Sequence, residues 1–259
     1  MNIKYKLASV VLLVFCTFIF ISFKKTTVQP NNSKYALGIF EPVAVIELFT
    51  SQGCSSCPPA DKLLAQTIKN SNGKKIFALS FHVDYWNRLG WADPFSSATF
   101  SKRQNDYVTA LNTNGAYTPQ IIVNGEREFV GSDKTSLNKA LSEELNKKSI
   151  VDFSTLSATF LEDKKIKVSY ALQGKFADCK INIALISKAE ITIIKRGENG
   201  GITLTNDNVV KQFITEKATN NGEITFATVP ASAKENLAVI VYIQQNDFKI
   251  IGAAMAGIE

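Results

Sequence analysis

The feature that most constrains this chain is a pair of cysteines, Cys54 and Cys57, separated by two serines. An apolar run over residues 43–50 precedes the pair, and a helical pattern over residues 60–68 follows it. The cysteines therefore lie where a buried strand passes into a helix N-terminus, whose unpaired N–H groups and positive dipole end stabilise a thiolate. The two prolines that follow suit a first helical turn. The pattern predicts a redox-active dithiol, with Cys54 as the more exposed, attacking sulfur and Cys57 as the resolving sulfur.

A C-x-x-C pair also occurs as half of a zinc site or as an inert structural disulfide. A structural zinc ion takes four ligands, usually Cys or His, and beyond the pair the chain offers only Cys16, Cys179 and His82. Cys16 belongs to an N-terminal apolar segment, so four ligands are difficult to assemble. Cys179 has no evident partner, and we expect a buried free thiol there. A structural disulfide remains the alternative.

The N-terminus has the pattern of an export signal. Residues 1–25 comprise a lysine-containing start, an uncharged apolar run over residues 7–23 and two further lysines, which predicts a signal peptide or a membrane anchor. The run is at the short limit for a membrane-spanning helix. We expect an exported protein, periplasmic or otherwise extracytoplasmic, with residues 7–23 as a candidate inner-membrane anchor and residues 26–41 as a polar linker. Such a compartment permits disulfide chemistry.

The net charge of +6 comes without an arginine-rich block, and the lysines are scattered. This distribution is typical of a solvated surface, and we expect no nucleic-acid partner.

Residues 42–149 have the pattern of one α/β domain. A second apolar strand candidate, over residues 75–83, follows the helix, and a strand–helix–strand order implies a parallel pair of strands. After it come a helical stretch at residues 96–111, a strand at residues 120–123, a hairpin turn at Asn124-Gly125, a return strand at residues 127–130 and a final helix.

This order of elements resembles the thioredoxin fold, in which helices flank a central mixed sheet. In that family a cis-proline loop lies opposite the dithiol, and Thr118-Pro119 matches it here. The resemblance implies a cis bond that exposes the Thr118 backbone to an extended substrate segment, with the adjacent Tyr117 as a further substrate-binding candidate. A trans proline that opens an edge strand is the alternative.

Longer motifs are similar to those of a secreted, thioredoxin-like bacterial family of unassigned function, domain-of-unknown-function family 1223. The similar segments are residues 47–61, 82–91 and 117–120, and later residues 196–201 with residues 208–210. This resemblance implies the fold and a redox site, and it supplies no substrate.

His82 is the only histidine, and it falls at the end of the second strand candidate. It is a candidate catalytic residue that lowers a thiol pKa or carries a proton, although a lone histidine is as often structural. Asp84 is a candidate partner of His82 or proton acceptor for Cys57. Trp86 either lines a substrate groove or packs its own aromatic loop down.

Residues 150–259 differ in character, because short alternating strands replace the helical windows. This pattern predicts a mostly antiparallel β-sandwich domain. Its glycine-rich, charged loop at residues 196–201 is read as a surface turn, and a loop that packs on the first domain and frames the site is the alternative.

Together these features favour an extracytoplasmic thiol–disulfide oxidoreductase that acts on protein thiols or disulfides, on small thiols or on a membrane redox partner. It needs no cofactor beyond its own disulfide. The runner-up is a copper-binding protein in which Cys54, Cys57 and His82 hold Cu(I), a metal that thiolates favour. The third candidate is a non-catalytic thioredoxin-like binding protein.

Overall fold

The computed structural model describes residues 39–227 and 229–259. The predicted signal peptide or anchor at residues 1–25, and the predicted linker except for residues 39–41, lie outside the described residues. Within the described ranges, no helix is long and apolar enough to cross a membrane.

The described chain contains three α-helices and eleven strands. The helices are α1 (Pro58–Lys69), α2 (Ala98–Ala110) and α3 (Lys134–Glu144). The strands are β1 (Ala44–Thr50), β2 (Ile76–His82), β3 (Gln120–Val123), β4 (Arg127–Val130), β5 (Val151–Phe160), β6 (Ile166–Gly174), β7 (Lys180–Ile193), β8 (Thr203–Lys217), β9 (Asn221–Phe226), β10 (Leu237–Gln244) and β11 (Ile250–Gly257). Two short 3-10 helices, Asn87–Leu89 and Ala231–Asn236, complete the described elements.

A large mixed sheet carries the first half of the chain. Its strand order is β11-β10-β7-β8-β2-β1-β3-β4, and β1 pairs with β2 in parallel from Ala44↔Ile76 to Thr50↔His82. The predicted strand–helix–strand unit is therefore confirmed. All seven residues of β1 are buried, because helices cover both faces of this part of the sheet and successive side chains point to opposite faces.

The two faces of β1 serve two different cores. Ala44, Ile46 and Leu48 pack beneath α1 and α3, whereas Val45 and Phe49 pack on the other side with α2. The helices therefore lie in two layers, one on each face of the sheet.

The second half of the chain extends the same sheet. Strand β8 lies beside β2 in parallel at Ser80↔Val209, and the Asn208 side chain donates a hydrogen bond of 2.9 Å to the Ala78 carbonyl at this junction. Strands from both sides of the predicted boundary between residues 149 and 150 belong to one sheet. The division into two domains at this boundary stays a prediction.

A separate antiparallel sheet, in the order β5-β6-β9, forms the remaining layer. Its inward side chains, such as Val168 and Phe226, share a core with Ile183, Leu185 and Val239 of the large sheet. The architecture is thus a mixed α/β fold in which a large mixed sheet is flanked by helices and, in its second half, is covered by a smaller antiparallel sheet.

A buried ion pair joins the layers behind the cysteine loop. Arg103 of α2 donates to both carboxylate oxygens of Glu47 on β1, at 2.6 and 2.8 Å. The hydroxyls of Tyr107 and Tyr242 also contact this pair. Burial makes an unpaired charge very costly, so this network fixes α2 and β10 against β1.

Candidate redox site

The two cysteines form a disulfide at the start of α1, with their Cα atoms 5.4 Å apart. Cys57 is the N-cap residue of the helix, and the N–H groups of Ala60 and Asp61 donate to its carbonyl at 2.8 and 3.1 Å. Pro58 opens the helix, where it removes no hydrogen bond. The predicted position of the pair, between a buried strand and a helix N-terminus, is confirmed.

Cys54 is not the more exposed sulfur. Both cysteines are 0 % exposed, while Ser55 and Ser56 between them are exposed. The prediction of an accessible Cys54 is wrong because it considered only the position along the helix, and a segment from the second half of the chain covers the loop.

That segment is the glycine-rich loop at residues 196–201, which we name the strap. The Asn199 side-chain amide donates to the carbonyls of Gln52 and Cys54, at 2.9 Å each. The Glu198 carboxylate accepts a hydrogen bond of 3.0 Å from the Ser55 N–H. The prediction of a surface turn agrees with the exposure of residues 196–198, 200 and 201. The alternative, a loop that frames the cysteines, holds as well, because Asn199 is buried against Gln52 and Cys54.

A second loop supports the strap from beside the cysteines. A Cβ atom added at Gly197 would lie 3.2 Å from the Trp91 Cβ, so the two loops approach closely at this point. Gly197 also has a positive φ of 78°, a conformation that favours glycine. The Trp91 indole donates to the Gln52 side chain at 3.2 Å. The strap, the aromatic loop at residues 84–95 and the cysteine loop thus form one packed unit.

The Thr118–Pro119 peptide bond is cis, as predicted. The Ser56 hydroxyl donates to the Thr118 carbonyl at 3.4 Å and lies 3.3 Å from the Cys54 sulfur. The Trp86 indole donates to the Thr118 hydroxyl at 2.7 Å. The structure therefore places Thr118 next to Ser56 and so near the dithiol, with Trp86 bonded to Thr118 and Pro119 following it in the chain.

Tyr117 serves a different contact. Its hydroxyl donates to the Glu128 carboxylate on β4, and its carbonyl accepts from the Gln104 side chain of α2 at 2.7 Å. Desolvation and the Glu128 hydrogen bond raise the pKa of the Tyr117 hydroxyl. No contact of this side chain with either cysteine is seen among the described residues.

His82 is completely buried, and its partner is Asp93 instead of Asp84. The distance between His82 Nδ1 and Asp93 Oδ2 is 2.7 Å, and the same carboxylate oxygen accepts the Gln52 N–H at 2.7 Å. Asp84 instead accepts a hydrogen bond of 2.5 Å from the Ser101 hydroxyl. The suggested pairing of Asp84 with His82 is wrong because the loop after β2 returns Asp93, eleven residues later, to the end of the strand.

Burial and the neighbouring charge of His82 shift the pKa of Asp93 in opposite directions. Desolvation raises its pKa, but attraction to His82 and hydrogen bonds from His82, Gln52 and Phe95 outweigh it, so the pKa lies below its ordinary value. Nothing in the sequence pointed to Asp93, since it stands in a loop of mixed composition.

A buried carboxylate, Asp61, lies on the same helix face as Cys57. It follows the cysteine by four residues in α1, a spacing that places two side chains side by side, and it is 6 % exposed. Burial raises its pKa to about 6, partly offset by the attraction of His82 and by the nearby Thr50 hydroxyl. Asp61 is not among the residues predicted from the sequence, although its spacing of four residues from Cys57 was a usable signal.

Several polar atoms around Asp61 lack a hydrogen-bond partner within the described protein. They are Asp61 Oδ1, His82 Nε2, Thr50 Oγ1 and Asn206 Nδ2, and all four residues are more than nine-tenths buried. The pKa of Asp61 responds to each of the other three. A small buried polar region thus lies beneath the start of α1.

The three-ligand copper site is not assembled. Among the described residues, no three or more His, Cys, Asp or Glu side chains are arranged to hold a metal ion. His82 instead directs Nδ1 to Asp93, and the two sulfurs are bonded to each other.

Solved structures that resemble the chain over most of its length include a protein from Agrobacterium tumefaciens and one from Porphyromonas gingivalis. A crystal structure of a protein from Agrobacterium tumefaciens has a TM-score of 0.63 and 27 % sequence identity, over 83 % of this chain and 94 % of that one. HBP35 of Porphyromonas gingivalis has a TM-score of 0.57 and 14 % identity, over 85 % of this chain and 76 % of that one. Among curated proteins, no sequence matches this chain.

A family profile described as a protein of unknown function, DUF1223, matches residues 45–244. This range contains the cysteine pair, the cis-proline loop and the strap. The chain belongs to the DUF1223 family.

Proposed function

We propose that this protein is a thioredoxin-like thiol–disulfide oxidoreductase that uses the Cys54–Cys57 pair. The observation that carries the proposal is the disulfide at the N-terminus of α1, with the cis Thr118–Pro119 loop in contact with Ser56, which lies between the two cysteines. A helix N-terminus favours the thiolate that exchange chemistry requires. A loop at hydrogen-bonding distance supplies backbone groups that an extended substrate can pair with.

The proposed exchange has two steps. A Cys54 thiolate attacks one sulfur of a substrate disulfide, so that a Cys54–substrate disulfide forms and the other substrate sulfur leaves as a thiolate that takes a proton from water. Cys57 then attacks Cys54, the internal disulfide forms, and the second substrate sulfur leaves. The substrate is reduced by two electrons and the dithiol is oxidised by two, and the reverse sequence oxidises a substrate dithiol.

Asp61 is suited to the second step, because buried Cys57 must lose its proton before it attacks. The carboxylate of Asp61 is adjacent on the helix face, and its pKa of about 6 leaves it charged, and so able to accept a proton, near neutral pH. His82, held by Asp93, lies close enough to influence this charge.

The proposal also includes an extracytoplasmic location, which the N-terminal sequence supports. Residues 1–25 have the composition of a signal peptide or anchor. The compartments outside the cytoplasm to which such segments direct a protein are oxidising and maintain disulfides. The substrates in this proposal are protein thiols or disulfides, small thiols or a membrane redox partner.

A second candidate is a non-catalytic binding protein of the same fold in which the disulfide is structural. The complete burial of both cysteines favours this candidate, since an exchanging sulfur must meet its substrate. The strap has to move if the first proposal is correct.

The reduction potential separates the two candidates. Protein is equilibrated with glutathione or dithiothreitol buffers, quenched and alkylated, and the fraction of reduced pair is measured by mass. A Cys179→Ser background removes the buried free thiol. We expect a potential above about −300 mV, whereas structural disulfides typically lie below that value. A lower potential, together with no exchange with a disulfide-containing peptide, would support the structural role.

A further inference from the structure

The strap places a carboxylate beside Cys54, in the loop that precedes α1. Glu198 accepts the N–H of Ser55, the residue directly after Cys54. Hydrogen bonds from the Ser55 side chain and backbone hold the pKa of Glu198 below its ordinary value, so Glu198 is an anion at neutral pH. Ser55 lies three residues before Pro58, the first residue of α1, so the donor belongs to the cysteine loop.

A reduced Cys54 would bring a second negative charge close to this carboxylate. In the disulfide the Cys54 sulfur carries no charge, and Glu198 is the single anion at this position among the contacts of the described residues. A Cys54 thiolate would instead depend on the helix N-terminus for its stabilisation. The thiolate and the Glu198 carboxylate, which is bonded to the next residue along the chain, would then be two negative charges at close range, and like charges repel.

We propose that the strap is a redox-dependent lid, which is closed over the disulfide and released when Cys54 becomes a thiolate. This inference rests on the proposed function, because it concerns access to the same sulfur. During reduction by a dithiol, the Cys54–Cys57 bond breaks and the reductant forms its own disulfide. Cys57 keeps one proton, and the other is released to solvent as Cys54 keeps a negative charge.

The contacts of the strap suit a lid of this kind. Its neutral anchor is the Asn199 amide on the carbonyls of Gln52 and Cys54, and its charged contact is Glu198 on Ser55. Glycines at 197 and 201 adopt positive φ angles of 78° and 89°, which lets the backbone change conformation at both ends at low cost. Release would expose Cys54 in the one redox state in which it is a nucleophile.

The test is hydrogen exchange over the strap in the oxidised and reduced protein, followed by mass spectrometry of a peptide that contains residues 196–201. Each form is measured for the wild type and for Glu198→Gln, which keeps an oxygen acceptor for Ser55 and removes the charge. Glu162→Gln is the matched control, because Glu162 is exposed in the turn between β5 and β6. Cys54→Ser tests whether loss of the disulfide alone loosens the strap.

We expect reduction of the disulfide to speed exchange in the strap by about threefold to fivefold in the wild type and in Glu162→Gln, because the Glu198 contact is exposed and charges exposed to solvent interact weakly. In Glu198→Gln and in Cys54→Ser, exchange should change by less than about twofold from the oxidised wild-type value. Equal exchange in the two redox states of the wild type would overturn the lid, as would full loosening in Cys54→Ser or Glu198→Gln. The reduction potential is measured separately, so a failed lid with an exchanging dithiol remains distinct from a failed proposed function.

Discussion

Replacement of Asp61 by Asn should stabilise the folded protein at neutral pH and leave its stability nearly unchanged in acid. Folding raises the pKa of Asp61 from 3.8 to about 6. At a pH between these two values, Asp61 is therefore protonated in the folded state and ionised in the unfolded state. The stability associated with this group is therefore fully present below pH 3.8 and is lost as the pH rises through 6.

The size of the effect follows from the two pKa values. Each unit of difference corresponds to about 1.4 kcal/mol, so the charged, buried Asp61 costs the folded state about 3 kcal/mol above pH 7. The cost arises because the carboxylate is 6 % exposed, and its desolvation is the largest influence on its pKa. Asn keeps the shape and removes the charge.

Urea unfolding of the oxidised protein at pH values from 3.5 to 8 measures the effect, with the disulfide intact throughout. The difference in unfolding free energy between Asp61→Asn and wild type should grow by about 3 kcal/mol from the acid end to the neutral end, or about 6–12 °C in melting temperature for a chain of this size. Asp106→Asn, which removes an exposed charge of α2, is the control for general charge effects.

A constant offset added to this pH-dependent difference would be the contribution of the amide itself. A difference that stays flat from pH 3.5 to pH 8, or that grows equally in Asp106→Asn, would refute the account of Asp61 as a buried charge with a raised pKa.

Three further outcomes are expected. Asn199→Ala removes both hydrogen bonds that anchor the strap, so reduction of the disulfide by dithiothreitol, followed by timed alkylation, should be about tenfold faster; a rate equal to that of the exposed control Asn220→Ala would contradict the role of the strap. Arg103→Met leaves Glu47, with a side chain 1 % exposed, buried without its partner and should cost about 3–5 kcal/mol in urea unfolding, and Glu47→Gln in the same chain should recover part of that loss. Asp93→Asn should destabilise the protein by about 1–3 kcal/mol at pH 7. This loss of stability should shrink as the pH falls below 3.8, because a carboxylate whose pKa is lowered on folding stops stabilising the protein once it is protonated. A loss that is independent of pH would argue against a charged Asp93.

Local sequence determined the elements around the cysteines. The apolar run at residues 43–50, the C-x-x-C pair and the prolines were enough to predict β1, the start of α1 and a parallel β2, because strand burial and helix initiation depend on neighbouring residues. The strand before Asn124-Gly125 and the strand after it followed from the turn signal for the same reason.

Tertiary structure decided what surrounds the sulfurs. The distance along the chain from Cys54 to Asn199 is 145 residues, and the partner of His82 comes from a loop eleven residues later. No periodic pattern encodes contacts of this kind, since they arise only when β8 takes its place beside β2 and carries the strap across the site. The exposure of Cys54 was predicted incorrectly for this reason: the helix N-terminus sets the chemistry of the sulfur, but the packing of a distant segment sets its access to solvent.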